Sequence, residues 1–300
     1  MSTAEPTWDL YGAFLAVMRG GSLSAAARTL GVAQPTVRRQ IEELEELLGV
    51  VLFTRAANGL VPTETAVATL PYAEAIAANA RALVRAVSGG PKEDRGTVRV
   101  ACSEIVGTYV LPPMLAALRR RHPRIQVELA VSNRTEDLVR RDADLAVRMV
   151  RPVQQGLVAR RIGRIELGLF AAPSYLAEHP PPKKLTALVR DHALVGADRD
   201  RGVITALASL GVAATPSDFV LRTDSDVAQL EAVRAGVGIG VCQVPLAARG
   251  VPLQRVLPKV AFHLETWLVM HEDLRRSRRV RVVFDHLVAE LGRYVSRPGA

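Results

Sequence analysis

The stretch "ARTLGVAQPTVRRQIEELEELLG", residues 27–49, decides how the rest of the chain is read. Its arginines Arg28, Arg38 and Arg39 give way abruptly to Glu42, Glu43, Glu45 and Glu46. Ala27, Gly31 and Val37 stand at the three positions where a helix-turn-helix is sterically constrained. These take a small residue where the helices cross, a glycine where the turn needs positive φ, and a branched apolar residue where the second helix packs back. A helix starting near Gln34 holds Pro35 in its first turn, where a missing N–H costs nothing. Val37, Ile41, Leu44 and Leu48 then form one inward stripe at helical spacing, with Gln34, Pro35, Arg38, Arg39 and Glu42 off it.

Upstream, Leu10, Phe14, Val17 and Met18 predict a helix over 9–18, ended by the "GGS" of 20–22. Ser22 or Ser24 is the expected cap of a short helix over about 24–30. Downstream, "VVLFTRAANGLVPT" (50–63) predicts a strand over 51–54, a tight turn at Asn58-Gly59 and a return strand over 60–62. Residues 1–62 thus read as a winged helix-turn-helix with Arg55 near the tip of the wing. The plainer alternative is a small helical domain that binds a protein. Residues 63–90 read as a long linker helix and hinge. Ala66, Leu70, Ala73, Ala77, Ala80, Val84 and Val87 make a heptad seam fit for a second copy, with a bend at Pro71. A helix packed on its own domain is the alternative there.

From residue 91 the pattern alternates. "TVRVACS" (97–103), a helix over 111–121, "IQVELAVS" (125–132), a helix over 135–141 and "ADLAVRM" (143–149) argue a parallel sheet with helices on its faces. A second set follows: strands at 166–172, 191–196, 218–223 and 237–245, and helices near 203–210 and 225–235. The chain ends with a strand at 265–271 and a helix over 278–294. The expectation is a two-lobed α/β domain, lobe I about 91–160 and 264–300, lobe II about 161–263. Ligands of open sheets bind beyond the strand C-termini. That rule places Ser103, Ser132, Asn133, Arg148 and Thr223 at a cleft between the lobes. Thr108 would flank the helix that begins after the first strand, where free N–H groups attract a carboxylate. Ordinary capping and turn chemistry is the alternative for each of these residues.

The stretch "GSLSAAARTLGVAQPTVRRQIEELEELLGVVLFTR" (21–55) resembles the DNA-binding signature of LysR-type transcriptional regulators. "RIQVELAVSNRTEDLVRRDADLAVRM" (124–149) and "ETWLVMHEDLRRSRRVRVVFDHL" (265–287) resemble that family's effector-binding domain. The resemblance spans essentially the whole chain. It implies an α/β multidomain protein with a winged helix-turn-helix, a long dimerisation helix and a periplasmic-binding-protein-like sensor. The expected partners are double-stranded promoter DNA, a small-molecule effector and further copies of itself as dimer or tetramer, with room for RNA polymerase. Two positions depart from the family's usual pattern: Arg38, where Ser or Thr is usual, and Pro71 in the linker helix.

In a helix-turn-helix the start of the second helix enters the major groove. Gln34, Pro35, Arg38 and Arg39 are therefore the exposed side chains expected at base edges, with Arg39 alternatively on phosphate, since arginine matches guanine and glutamine matches adenine. Ser22, Ser24, Thr36 and Arg55 are expected on phosphates, which position without reading sequence. Net charge is +9, yet residues 1–95 hold nine Lys/Arg against ten Asp/Glu, so the surplus lies in the effector domain. That surplus hints at an anionic effector, although 35 Arg against 4 Lys also fits a GC-rich genome. No HExxH, paired Cys/His spacing or nucleophile elbow occurs, so no metal, cofactor or catalysis is expected. Cys102 and Cys242 read as small buried side chains. The N-terminus lacks a secretory signal and no apolar run is long enough to cross a bilayer, which leads to the expectation of a cytoplasmic protein without a membrane contact. The rival reading is a two-lobed small-molecule binding protein or enzyme whose N-terminal helices only mediate assembly.

Overall fold

A computed structural model describes residues 5–56, 59–87, 93–133, 143–152 and 156–296. Two compact units emerge, one ending at Ala86 and one beginning at Val87. The first opens with helices α1 (Trp8–Gly20), α2 (Leu23–Leu30) and α3 (Gln34–Leu48). Gly31 ends α2 at φ +69°, the left-handed conformation the turn demands, and the Val32 N–H reaches back to the Ala27 carbonyl at 3.1 Å. Ala27 and Val37 are both buried where α2 and α3 pack. Ser22 is the helix cap, accepting the Ala25 N–H at 3.2 Å, and Ser24 lies exposed in the first turn. Val37, Ile41 and Leu44 join Leu10, Phe14 and Val17 in the core. Leu48 does not. It stands 42 % exposed as the last residue of α3, beside the Gly49 cap.

The wing is a two-stranded antiparallel hairpin, β1 (Phe53–Ala56) and β2 (Gly59–Pro62), with Arg55 opposite Leu60. The first strand starts two residues later than the sequence suggests, because Leu52 is buried in the core and Val51 bonds through its carbonyl to Thr63. Asn58 of the expected turn lies outside the described residues. Helix α4 (Glu64–Val87) continues through Pro71. Its Ala66 and Ala73 lie in the core of this same unit, with Leu70 and Ala77 half-buried against it. Beyond them Leu83, Val84 and Val87 are exposed at 67 %, 67 % and 75 %.

The second unit is built on a six-stranded sheet of order β4-β3-β5-β10-β6-β9. Strands β3 (Gly96–Cys102), β4 (Ile125–Val131) and β5 (Leu145–Arg148) run parallel, as the βαβ pattern requires. The sheet as a whole is mixed, however. β6 (Leu157–Ala171) and β10 (Gln254–His271) pair antiparallel along almost their full lengths, and β10 also runs antiparallel to β5. These long strands carry the chain between the lobes, so one sheet serves both. β9 (Gly240–Gln243) closes the far edge against β6.

A π-helical turn (Val106–Val110) leads into α5 (Leu111–Arg121), which packs with α11 (Arg278–Val295) on one face of β3 and β5. The second lobe adds α6 (Pro173–Glu178), α7 (Leu185–Asp191), β7 (Leu194–Gly196), α8 (Gly202–Ser209), β8 (Phe219–Arg222), α9 (Asp226–Arg234) and α10 (Val244–Ala247). Its β7 and β8 form a small parallel pair. The helix expected over 135–141 falls outside the described residues.

Candidate nucleic-acid interface and effector site

The apolar stripe of α3 points inward, so the opposite face is presented to solvent. Gln34, Pro35, Arg38 and Arg39 are exposed there and Thr36 is half-buried. The N-cap position is Ala33, which offers no side-chain cap, and the helix has no acidic residue in its first turn. Its free N–H groups and positive dipole end are therefore left for an anion from outside. Arg28 on α2 and Arg55 on β1 are exposed as well. Among the described residues, no ion pair holds Arg28, Arg38, Arg39 or Arg55. The unit thus has a set of uncompensated guanidiniums on the elements that surround the start of α3. Ser22 spends a lone pair on capping α2 and is half-buried, whereas Ser24 is exposed.

The glutamates of α3 divide into two kinds. Glu42 and Glu43 follow Arg38 and Arg39 by one turn and, with Glu46, face solvent. Glu45 is half-buried, and its carboxylate accepts the Leu52 N–H at 2.6 Å and the Phe53 N–H at 3.0 Å. It ties the base of the wing to the recognition helix. The return strand is fixed separately. The Leu60 N–H donates to the Gly21 carbonyl at 3.1 Å, so close that a Cβ on Gly59 would lie 2.7 Å from that oxygen. Neither link shows in sequence periodicity, because each joins residues from different elements.

In the second unit, Ser103, Ser132, Asn133 and Arg148 all lie at the C-terminal ends of the three parallel strands. Thr108 does not flank the helix start: the helix begins at Glu104 and Thr108 sits exposed within its π-helical turn. Asn133 accepts the Glu104 N–H at 2.9 Å and donates to the Asp224 carbonyl at 3.4 Å, reaching from one lobe to the other. Thr223 takes part in turn chemistry, accepting the Ser225 N–H at 3.2 Å through its hydroxyl. Arg148 is only 7 % exposed, and burial depresses its pKa.

Further groups, absent from the sequence-derived set, gather at this junction. Glu104 accepts the Ser225 hydroxyl at 2.8 Å and the Val227 N–H at 3.4 Å, so a carboxylate from the first lobe already caps α9 of the second. Asp226 beside it has its pKa raised by burial first, then by the charges of Glu104 and Asp200. Tyr109, on the π-helical turn, donates to Glu231 at 2.5 Å, and Arg234 pairs with the same carboxylate at 2.7 Å. Arg249 donates to the Tyr109 carbonyl at 3.1 Å. Cys102 and Cys242 are buried free thiols, pushed up to about 11 and about 12 by burial. Thiolate chemistry at neutral pH is thereby closed to both. Among the described residues no group of His, Cys, Asp and Glu is placed to hold a metal, and no helix is long and apolar enough to cross a membrane.

A helix-turn-helix with an uncompensated basic face, joined to a two-lobed α/β domain, defines a class: the DNA-binding regulator with a sensor domain. Comparison with known proteins names the family. Residues 8–67 match the model described as "Bacterial regulatory helix-turn-helix protein, lysR family", and residues 91–292 match "LysR substrate binding domain". The chain is 30 % identical over 290 residues to the HTH-type transcriptional activator TtdR of Escherichia coli O6:K15:H31, covering 94 % of this chain and 93 % of that one. The solved structure of CrgA, a LysR-type transcriptional regulator from Neisseria meningitidis, aligns with TM-score 0.58 and 26 % identity over 97 % of this chain and 100 % of that chain. Full-length CbnR complexed with its target DNA aligns with TM-score 0.65 and 22 % identity, covering 96 % of this chain and 99 % of that one. The chain belongs to the LysR family. It is a DNA-binding transcriptional regulator with an effector-binding domain and not an enzyme, which sets aside the rival reading.

Proposed function

We propose that this regulator acts in the cytoplasm as a homo-oligomer, inserts the start of α3 into the major groove of promoter DNA, and responds to a small molecule bound where the lobes meet. One observation carries the DNA-binding part: Arg28, Arg38, Arg39 and Arg55 are exposed, without a carboxylate partner among the described residues, around the helix start whose opposite face is buried. Gln34, Arg38 and Arg39 are the side chains assigned to base edges, together with the exposed Pro35. Ser24, Thr36, Arg55 and the hydroxyl proton of Ser22 are assigned to phosphates, and Arg28 joins them. Such contacts release counterions, so binding must weaken steeply with salt.

The exposed Leu83, Val84 and Val87 at the end of α4 are the apolar surface assigned to a second copy. For the effector, Ser103, Ser132, Asn133, Arg148 and Thr223, at the strand ends and turns that border the junction, are the assigned contacts, together with the exposed Thr108. RNA polymerase remains the expected partner at the promoter. A gel shift with the DNA upstream of the coding region tests the reading. Salt-sensitive, sequence-preferring retardation supports it, and equal retardation of an unrelated duplex contradicts it.

A further inference from the structure

Much of the positive charge of the second unit is gathered at one end of it. The parallel strands β3 and β4 start together at Gly96 and Ile125, with Asp144 just ahead of β5. Met270 of β10 faces Leu145 of β5 and His271 faces Leu157, so β10 ends and β6 begins at this end too. Helix α5 also ends here, where His122 bonds Asp94 ahead of β3 at 3.4 Å. Helix α11 starts here, since Arg279 donates to the Thr97 carbonyl at 3.3 Å. The effector residues Ser103, Ser132 and Arg148 stand at the opposite ends of the strands.

Each of these elements brings arginines to this end. Arg119, Arg120 and Arg121 form the last turn of α5. Arg275 and Arg276 end a 3₁₀ turn (Glu272–Arg276) that follows β10, and Arg278 and Arg281 open α11. Arg160 adds a charge from β6. All of them are exposed, and among the described residues none forms an ion pair or a side-chain hydrogen bond. Neighbouring arginines that serve the fold are paired: Arg124 with Asp94 at 2.7 Å, Arg161 with Glu265 at 3.1 Å and Arg99 with Glu128 at 3.2 Å. The exposed carboxylates Glu272, Asp273 and Asp285 are too few to balance the unpaired guanidiniums. Part of the face is concave. A cavity of about 1370 Å³ lies between β6, the 3₁₀ turn and α11, lined by buried Met270 and Phe284 and by Arg160, Arg275, Arg276 and Arg281.

We propose that this face is a second DNA-binding surface, with which the sensor domain holds the phosphate backbone without reading its sequence. It goes beyond recognition by α3 and rests on the DNA binding of the family. Charge complementarity selects the occupant. Residues 1–95 hold nine Lys/Arg against ten Asp/Glu, so the recognition unit brings no positive surplus to a polyanion. The face runs across the ends of five adjacent strands, from β4 to β6. At about 4.8 Å between strands it spans roughly 19 Å, a width over which duplex DNA carries about eleven phosphates. Guanidiniums on phosphates release counterions whatever the base sequence, so such a surface adds affinity and no preference.

The test uses the full chain and substitutions that each remove two charges. Arg119→Gln/Arg120→Gln and Arg275→Gln/Arg276→Gln alter the face, and Lys183→Gln/Lys184→Gln alters two exposed lysines of the second lobe as a control. Affinities for the upstream DNA and for a scrambled duplex are measured over a range of salt. Each arginine pair lowers the salt slope by about 1–2 and weakens both duplexes equally, by up to roughly thirtyfold at about 0.15 M salt, so the preference between them is kept. The lysine pair changes neither quantity. Arg275→Lys/Arg276→Lys keeps the slope, since a phosphate accepts a point charge as well as a fork. Benzoylphenylalanine in place of Arg276 crosslinks to both duplexes under light, and in place of Lys184 it does not. Arginine pairs that bind with wild-type affinity and slope overturn the proposal. So does a lysine pair that costs as much, or a loss that comes with a changed oligomer in sedimentation. Arginine pairs that bind DNA normally but no longer retain RNA polymerase give the face to a protein partner and overturn it as well. Failure of the α3 reading shows separately, as a sequence preference that survives Arg38→Ala/Arg39→Ala.

Discussion

Glu45→Ala removes the one oxygen that the Leu52 and Phe53 N–H groups share at 2.6 and 3.0 Å. Both residues are buried, at 1 % and 9 % exposure, so water does not readily replace it. A hydrogen bond to a charged group contributes roughly 1.5–3 kcal/mol, and two donors on one oxygen do not add in full, which sets the loss at about 2–4 kcal/mol. A unit of this size loses about 4–8 °C per kcal/mol, so its melting transition falls by about 8–32 °C. Glu45→Gln keeps an acceptor oxygen and loses only the charge, at about 1 kcal/mol. The assay is thermal unfolding by circular dichroism, paired with DNA titrations over a range of salt. With the wing untied, Arg55 no longer holds its phosphate and the salt slope drops by about 1. A Glu45→Ala protein that melts within about 2 °C of wild type, with an unchanged slope, refutes the tie between wing and recognition helix.

Other predictions concern both units. Arg38→Ala relaxes preference at one base pair by about 1–3 kcal/mol, whereas Arg55→Ala weakens binding uniformly across sequences; a panel of single-base operator variants distinguishes them. Tyr109→Phe keeps the ring under Arg234 but removes the bond to Glu231, lowering stability by roughly 1.5–3 kcal/mol in denaturant titrations. Asp226 has a raised folded-state pKa, so its contribution to stability is full below its unfolded pKa and is lost as pH rises through the raised value. Asp226→Asn therefore raises the melting temperature at pH 7, and the gain disappears under acid conditions below the unfolded pKa; equal gains at both pH values contradict the burial argument. Cys102 and Cys242 resist a thiol reagent in the native protein and react on unfolding, and rapid native labelling would count against their burial.

Local steric rules made the helix-turn-helix readable. Gly31 has the positive φ its turn requires, and Val37 packs where a branched residue was needed. The same rules overreached at Leu48, because helical spacing runs on to the last residue of α3, where the side chain is exposed. Glu45 stands in a run of four glutamates and nothing in that pattern sets it apart, since its partners Leu52 and Phe53 lie at the base of the wing and leave no mark on periodicity. The long strands β6 and β10 were seen only in part. Their pairing is interrupted by register shifts at Val256/Ala261 and Thr266/Trp267, and Leu257 takes φ +47°, so no unbroken alternation advertises them. At the junction, Arg148 was readable as a charge at a strand end. Glu104 and Tyr109 were not, because Ser225 and Glu231 lie more than 120 residues further along the chain.

The most direct test of the central claim is a quantitative binding titration on labelled duplexes. Wild type and Arg38→Ala/Arg39→Ala are compared on the DNA upstream of the coding region and on a scrambled duplex of equal length. Wild type should prefer the upstream sequence by at least about a thousandfold, and the double variant should lose most of that preference along with about two units of salt slope. Equal affinity of wild type for both duplexes, or a double variant that binds like wild type, would contradict recognition through the start of α3.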